Sequence, residues 1–516
     1  MARKLLLLLL SSLLFTGQAF ATMSASIEWD WNSAATANMV NGGGFKAGAS
    51  GVDHSTDTVA VTAWSKTDGA STASTTFTSL NATFDANIVG NVLHLVSATG
   101  TPTVGWYEVT AYTDANTITL DRESGTHTVA TFNVGGALYV GNSLEDDFFE
   151  EISGANSTDG MKVWIKNGSY TPSEAISIAG AGGTQAPIKV YGYTTTHGDA
   201  TTGTNRPTIT QAANAFTGGV NWDFYNIIWT GTAATVWTGG GNSKVVNCKF
   251  TNTSSTVDRV AILHSSDALL FNNEAISYWG LAVQLWSSAT TAVGNYVHDS
   301  NVGMGHGFTT SDHTIVNNII ADNVTAAIRY TGNDADHHLI MNNTLYGAEN
   351  TIGIGISLAS GVTDVFLINN IIYGFATGVS HAAVQSVGFD NYNDYNNNDT
   401  DVTNWTKGAN DVTTAPGFTN VTQITGTTGA FVAGGSKLVD TNKNFTTLGV
   451  AAGEIVYITG GTGSTTKKYL IDSISTTTNP NDTLNITVPA SPGTNTTADK
   501  TYQITLGHNF AITGAI

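Results

Sequence analysis

Between Asn226 and Asn391 short runs of alternating apolar and polar residues return around one asparagine-like position. The anchors are Asn226, Cys248, Asn273, Asn295, Asn318, Asn343, Asn370 and Asn391, at successive spacings of 22, 25, 22, 23, 25, 27 and 21. Two residues before them stand Phe224, Val246, Phe271, Val293, Val316, Met341, Ile368 and Phe389. Two residues after stand Ile228, Phe250, Ala275, Val297, Ile320, Leu345, Ile372 and Asn393. A period of two within each run predicts a strand, and the longer period predicts one coil per repeat. A single coil cannot bury its own apolar face, so the coils must stack. Stacked parallel coils lie about 4.8 Å apart, which sets the anchors above one another. Asn273, Asn295, Asn318, Asn343 and Asn370 are therefore expected to form a buried column of hydrogen-bonded amides.

The flanks read differently. Residues 22–75 are rich in glycine, serine and threonine, and Asn41-Gly42-Gly43-Gly44-Phe45 reads as loop. Residues 76–140 form a small β module. Its landmarks are Phe84, Val92-Leu93-His94-Leu95, Gly100-Thr101, Tyr107-Glu108-Val109 and Thr117-Ile118-Thr119-Leu120. The same series returns in order within 421–516, as Phe445, Ile455-Val456-Tyr457-Ile458, Gly461-Thr462, Tyr469-Leu470-Ile471 and Thr483-Leu484-Asn485-Ile486. This is a duplicated module with the solenoid between its copies, over 141–420. Ser143–Ile152 is the best helix candidate. Ser143 stands at its cap, and Leu144, Phe148 and Ile152 share one face. Such a helix would cover the open strand edges at the solenoid's first coil.

Val163-Trp164-Ile165-Lys166-Asn167-Gly168-Ser169-Tyr170-Thr171 and Ala186-Pro187-Ile188-Lys189-Val190 resemble the opening coils of the pectin-lyase-like, right-handed β-helix superfamily. Asp394-Tyr395-Asn396 and Ala415-Pro416-Gly417-Phe418 resemble its closing coils. The module at 76–137 resembles one found ahead of bacterial and phage β-helices. The resemblance implies an all-β fold: a right-handed parallel β-helix with an N-terminal helical cap and duplicated small β modules at both ends. Its members include lyases, hydrolases, phage tailspikes and adhesins, so the fold does not choose an activity.

Composition narrows the functions. The net charge of −20 comes from 39 acids against 19 bases. With no basic stripe, that field opposes nucleic acid as a partner. Arg3 and Lys4, the apolar run Leu5–Phe15 and Ala19-Phe20-Ala21 read as a signal peptide over 1–21. That predicts a secreted protein, extracellular or on the cell surface, beginning near Thr22, with no membrane span after cleavage. The one cysteine, Cys248, sits at an anchor and reads as a small buried side chain.

Candidate chemistry must appear as columns, one residue per coil. Four residues past their anchors stand Asp299 and Asp322, with His298 beside the first; eleven past stand His306 and Arg329. Together these five are the candidate catalytic set for a lyase or glycoside hydrolase, which needs an acid–base pair and a group that neutralises developing charge. The competing reading has the two aspartates cap turns and His306 face inward beside Leu285 and Tyr330. Trp229, Tyr296, Tyr346, Tyr373 and Tyr392 fall at outward offsets and are candidate carbohydrate-binding residues, because aromatic faces stack on sugar rings. His337-His338 with Asp336 is a weak metal motif, since adjacent strand residues point to opposite faces. No cofactor or metal is expected, although the acidic run Asp390–Asp399 leaves room for calcium. The leading reading is a secreted β-helix that binds polysaccharide or cell-surface glycan, or serves as an adhesive rod, without turnover. The alternative is an enzyme with a groove on coils 295–329. A tailspike-like fibre is disfavoured by the export signal.

Overall fold

The computed structural model describes residues 28–31, 64–135 and 138–141 apart from 83, 85–91 and 121–122, then Phe149, then 162–512 apart from stretches in loops, the longest being 179–186, 348–352 and 476–481. The chain forms two compact units, 1–166 and 167–516. The signal-peptide segment, the Asn41–Phe45 loop and the cap helix expected over Ser143–Ile152 lie outside the described residues, apart from Phe149. The Phe149 ring meets Trp31 edge-on at 5.6 Å. Among the described residues the only elements are strands and a 310 turn at Gly203–Asn205; Phe149 alone is helical, and no helix is described that would form the expected cap. No helix among them is long and apolar enough to cross a membrane.

In the first unit, six antiparallel strands close a barrel: Trp64–Thr72, Thr76–Thr78, Thr117–Leu120, Gly105–Asp114, Val92–Pro102 and Gly125–Gly135, in spatial order. The module therefore begins at Trp64, ahead of the expected boundary at 76. Its core holds Phe77, Phe84, Leu93, Leu95, Tyr107, Val109, Ile118 and Leu120. The C-terminal copy repeats the plan. Thr422–Phe431 pairs with Lys437–Asp440, which pairs with Thr483–Asn485, and that with Ser473–Ser475. Lys468–Leu470 pairs with Ile455–Gly460, which pairs with Lys500–Leu506, which returns to Thr422–Phe431. Phe445, Val456, Ile458, Tyr469, Ile471, Leu484 and Ile486 fill this core at the matching positions. Tyr107 and Tyr469 each donate a hydroxyl hydrogen bond to the carbonyl four residues back, Thr103 and Thr465. The short shared motifs thus mark one strand order used twice.

The second unit carries the solenoid, in three parallel sheets. Sheet 1 runs here from Ile188–Tyr193 to Gly388–Asn391, sheet 2 from Ser169–Tyr170 to Asp394–Asn396, and sheet 3 from Ile176–Ser177 to Thr400–Thr403. Every coil contributes one strand to each. Inward residues such as Val245, Leu270, Ala292, Ile315, Ile340 and Leu367 from sheet 1 stack on Phe250, Val297, Ile320, Leu345 and Ile372 from sheet 2. This is the core that no single coil builds alone.

The asparagine column is real and buried. Asn273 donates its backbone N–H and Nδ2 to Asn295 Oδ1, at 2.9 and 3.0 Å. Asn295 does the same to Asn318, Asn318 to Asn343, Asn343 to Asn370, and Asn370 to Asn393. Each Nδ2 also donates to a carbonyl of an earlier coil, as Asn318 does to Ala292 O at 2.9 Å. Cys248 heads the column through its backbone N–H on Asn273 Oδ1. Full burial pushes its thiol up to about 12, the mark of an inert side chain.

The two outermost anchors need correction. Trp229 pairs with Phe250 and Ile371 with Asp394, so Ile227 and Asn393, not Asn226 and Asn391, hold the column positions. Asn226 belongs to a second row just outside, with Asn247, Asn272, Asn317, Asn342 and Asn369. All six adopt left-handed backbone, φ 53–61°, a conformation asparagine tolerates better than most residues. The Asn-Asn doublets of the sequence thus divide two tasks: the first residue turns the chain and the second bonds the coils.

Asp390 and Asp411 close the column. Asn393 Nδ2 donates to Asp390 Oδ1 at 2.6 Å, and Asp411 Oδ1 accepts from the Asn393 backbone at 2.8 Å. The Tyr395 hydroxyl and the Trp405 indole both donate to Asp390 Oδ2. Its oxygens are therefore spent on side-chain donors, and no group of three metal-binding side chains exists among the described residues. Burial, then the Asp411 hydrogen bond, pushes Asp390 up to about 7.

Two outcomes follow from this column. Asn318→Leu removes donors and acceptors in a dry interior and should lower unfolding free energy by about 2–5 kcal/mol in chemical denaturation. Unfolded, Asp390 releases its proton near pH 4; folded, it keeps it to about 7. The folded state thus binds the extra proton in between, and stability should fall as pH rises from about 4 to 7, by about 2–4 kcal/mol from this group. Asp411→Asn should flatten that slope in thermal unfolding at pH 5 and pH 8.

Candidate functional site

Three of the five candidate catalytic residues do meet. The strands Lys249–Asn252, Glu274–Ser277, Tyr296–His298 and Ile319–Ala321 are neighbours in sheet 2. Lys249, Glu274 and Tyr296 share one register position, and His298 lies opposite Ala321. Asp299 and Asp322 follow directly, each in a left-handed turn with φ 51° and 54°. They serve the turn role that aspartate fills well, and they are also buried.

A chain of charges crosses these coils. Lys249 Nζ lies 2.7 Å from Glu274 Oε1, and that oxygen lies 3.3 Å from His298 Nε2. His298 Nδ1 lies 2.8 Å from Asp299 Oδ2, and Asp299 Oδ1 lies 2.8 Å from Lys468 Nζ. Lys468 also donates to the Asp322 carbonyl. The Tyr296 ring stacks on His298 at 4.0 Å. Burial alone would lower the His298 pKa, but hydrogen bonds to Asp299 and Glu274 outweigh it and raise it. Burial likewise opposes ionisation of Glu274, yet the bonds from His298 and Lys249 hold it at about 2. A carboxylate beside each ring nitrogen favours the protonated ring. Both nitrogens are engaged within the protein and do not face a substrate, as a general base must.

The cation ending this chain belongs to the C-terminal module. Lys468 opens the strand Lys468–Leu470, and Trp279 Nε1 donates to its carbonyl at 3.1 Å. Trp279 meets Tyr469 edge-on at 5.9 Å, and Ile276 and Tyr278 pack with Ile455. Asp299, Asp322, Tyr457, Lys468, Gln503 and Thr505 line the cleft left between module and coil, which has room for about one water molecule. Sequence reasoning missed Lys249, Glu274 and Lys468. The first two stand one residue past their anchors, a shared offset that marked them. Lys468 lies 169 residues from Asp299, and no local pattern announces it.

The other candidates lie elsewhere. Arg329 and His306 sit in sheet 3, on the strands Ala326–Tyr330 and Val302–His306. Arg329 pairs with Gly305, and His306 pairs with Tyr330, whose own side chain is buried. Trp229, expected outside, is fully buried against Phe216 and Phe224, because its coil is displaced by one residue from the assumed anchor. Tyr346 and Tyr373 stack at 5.6 Å with planes 5° apart. Phe418 covers both edge-on, so Tyr346, expected outside, is buried. Tyr392 is 57% exposed. His337 and His338 diverge: His338 is buried beside Tyr330, while His337 is exposed, 3.9 Å from both Asp312 and Asp364.

Breaking one end of a buried ion pair costs about 3–5 kcal/mol, whereas replacing both ends costs far less. Lys468→Met should therefore loosen the C-terminal module, read as faster hydrogen exchange across 455–506. Adding Asp299→Asn should restore much of the protection.

No family model matches this chain, and no curated protein matches it. Solved structures do. The A-module of mannuronan C-5 epimerase AlgE6 from Azotobacter vinelandii is 12% identical over 49% of this chain and 89% of its own, with TM-score 0.31. The Dettilon tailspike protein is 11% identical over 67% of this chain and 87% of its own, with TM-score 0.32. The catalytic unit of a GH87 alpha-1,3-glucanase from Streptomyces thermodiastaticus is 11% identical over 64% and 81%, with TM-score 0.26. At such identities the likeness concerns fold alone. Parallel coils stacked on a buried asparagine column make this chain a parallel β-helix.

Proposed function

We propose that this is an exported β-helix rod that holds a glycan chain along sheet 3 and does not turn it over. The observation that carries the reading is one polar column on that sheet's outer face. Gln284, Gly305, Arg329, Ser357, Ser380 and Thr403 lie in register on successive coils. Gln284, Arg329, Ser357 and Ser380 are half-buried between fully buried neighbours, and Thr403 is exposed. A ladder of amide, guanidinium and hydroxyl groups suits a polyol. Arginine offers five donors in a fixed fork, and glutamine and serine both donate and accept. Coils about 4.8 Å apart repeat these groups on the scale of one sugar ring. Trp286, 42% exposed and one residue beyond the strand Leu281–Leu285, adds an aromatic face beside the column.

The absence of turnover rests on the sheet 2 cluster. Its histidine is held between two carboxylates, and Lys468 occupies the space a substrate would need. The net charge of −20 favours a neutral glycan over a polyanion.

The test is a panel of neutral and acidic polysaccharides offered to the chain from Thr22 onward, with binding read by affinity electrophoresis and cleavage by product chain length. Retention by at least one neutral glycan without shortening is expected. Arg329→Ala with Gln284→Ala should weaken retention about tenfold, the worth of one or two hydrogen bonds. Shortened products that vanish in Asp322→Ala would instead establish an enzyme.

A further inference from the structure

The outer face of sheet 1 has a different character. Two columns of side chains point outward along it. Leu269, Thr291, Thr314, Leu339, Phe366 and Phe389 form one; Val246, Phe271, Val293, Val316, Met341 and Ile368 form the other. None of these twelve positions carries a charge, although the chain has 58 charged residues, 19 basic and 39 acidic; the first column meets a charge only at its N-terminal end, where the exposed Lys244 precedes Leu269. Phe271, Phe366 and Phe389 are 38, 41 and 44% exposed. On sheet 2 the equivalent apolar surface is covered by Phe418 and by the C-terminal module. A contiguous exposed patch beyond a few hundred Å² marks an interaction site.

Polar margins border this floor, and they differ. On one side run the left-handed turn residues Asn242, Asp267, Asp312, His337 and Asp364; on the other run Asn247, Asn272, Asn317, Asn342 and Asn369. One margin is therefore richest in carboxylates, with Ala289 among them, and the other is mainly amide, broken by Gly294 and ended by Tyr392. The amides bond partly among themselves: Asn369 Nδ2 donates to Asn342 at 2.6 Å and Asn272 Nδ2 to Asn247 at 3.4 Å, one donation each of the two an amide can make, whereas Asn247 Nδ2 donates to both Thr201 O and Asn226 Oδ1.

We infer that this face joins two copies of the chain in a parallel dimer, with the two-fold axis along the solenoid. That operation sets each coil against the same coil of the second copy and reverses strand direction. Apolar floor then meets apolar floor. Asp267, Asp312 and Asp364 meet the amides of Asn272, Asn317 and Asn369, twice over, so acceptors face donors. An antiparallel arrangement would instead set the acidic margin against itself. Seven strands span roughly 29 Å at the coil repeat. With a width of about 20 Å across both margins, the contact buries about 1,200 Å² in total, the lower end for stable specific interfaces. The proposal is independent of glycan binding, which uses sheet 3.

Sedimentation of the full chain from Thr22 onward over a range of concentrations tests it. A species of twice the chain mass is expected at micromolar concentration. Phe271→Glu or Phe366→Glu, in the middle of the floor, should raise the dissociation constant about a hundredfold by burying an unpaired charge. Both positions are outward, and an unchanged thermal midpoint verifies folding. The paired substitution Asp312→Cys with Asn317→Cys should give a disulfide-linked dimer on oxidation, because the parallel two-fold sets those residues against each other across the interface. A chain that sediments as a monomer throughout overturns the proposal, as does a dimer indifferent to both glutamates. Loss of polysaccharide retention by Phe366→Glu in a monomeric chain would also overturn it and give the face to glycan.

Discussion

One amide, repeated once per coil, holds the solenoid in register. Coils between successive column residues differ in length, from 22 residues between Asn273 and Asn295 to 27 between Asn343 and Asn370. If each coil were free to slip by one residue, every strand after the slip would turn its apolar side outward. The buried asparagine prevents this because its side chain satisfies two coils at once. Its Oδ1 accepts the backbone and side-chain N–H groups of the preceding column residue, and its Nδ2 reaches back to a carbonyl. No apolar residue does both, and an unmet buried amide is costly. The length differences are consequently pushed away from the column, into the connections on the far side of each coil.

With register fixed at one corner, each sheet presents straight columns, and the three outer faces take separate characters. Sheet 2 faces the C-terminal module, and its charges are neutralised pair by pair. Sheet 1 beyond Lys244 keeps an uncharged floor between two polar margins. Sheet 3 carries the mixed polar ladder through Arg329. Such a division needs no special loop, because a change at one offset in successive coils repaints a whole face.

Much of this was legible, since four of the five column residues from Asn273 to Asn370 end an Asn-Asn doublet and Asn295 follows Gly294 in the same context. The reading slipped at both ends. Asn226 stands in the outer, left-handed row, and a lone asparagine does not say to which row it belongs; Asn391 ends a sheet 1 strand, and Tyr392 takes the left-handed turn before Asn393. The one-residue error at Asn226 turned Trp229 outward on paper, whereas the structure packs it inside. The duplicated module was visible because its core residues keep their order: Tyr107 and Tyr469 even repeat a hydroxyl bond to the carbonyl four residues back. Periodicity within the solenoid carries no information about what docks on it. Lys468 and Phe418 were therefore invisible, and with them the fate of Asp299 and of Tyr346.

The docked lysine also bears on why so many charges sit where apolar side chains would serve. Burying Glu274, His298, Asp299 and Lys468 gains little net stability, since desolvation offsets most of their mutual attraction. Adhesion between module and coil comes from Ile276, Tyr278 and Ile455, and from Trp279 against Tyr469. Those contacts alone are indifferent to sliding by one coil, because neighbouring coils of a solenoid look alike. The ion pair is not indifferent. Asp322 repeats the carboxylate on the next coil, but there Ala321 stands in place of His298, so only the coil of Asp299 offers Lys468 a carboxylate oriented by its own histidine, and a module displaced by about 4.8 Å would lose that arrangement. The charge chain thus selects one docking position among several similar ones, and that selection keeps the sheet 2 cluster covered while leaving sheets 1 and 3 open to other partners.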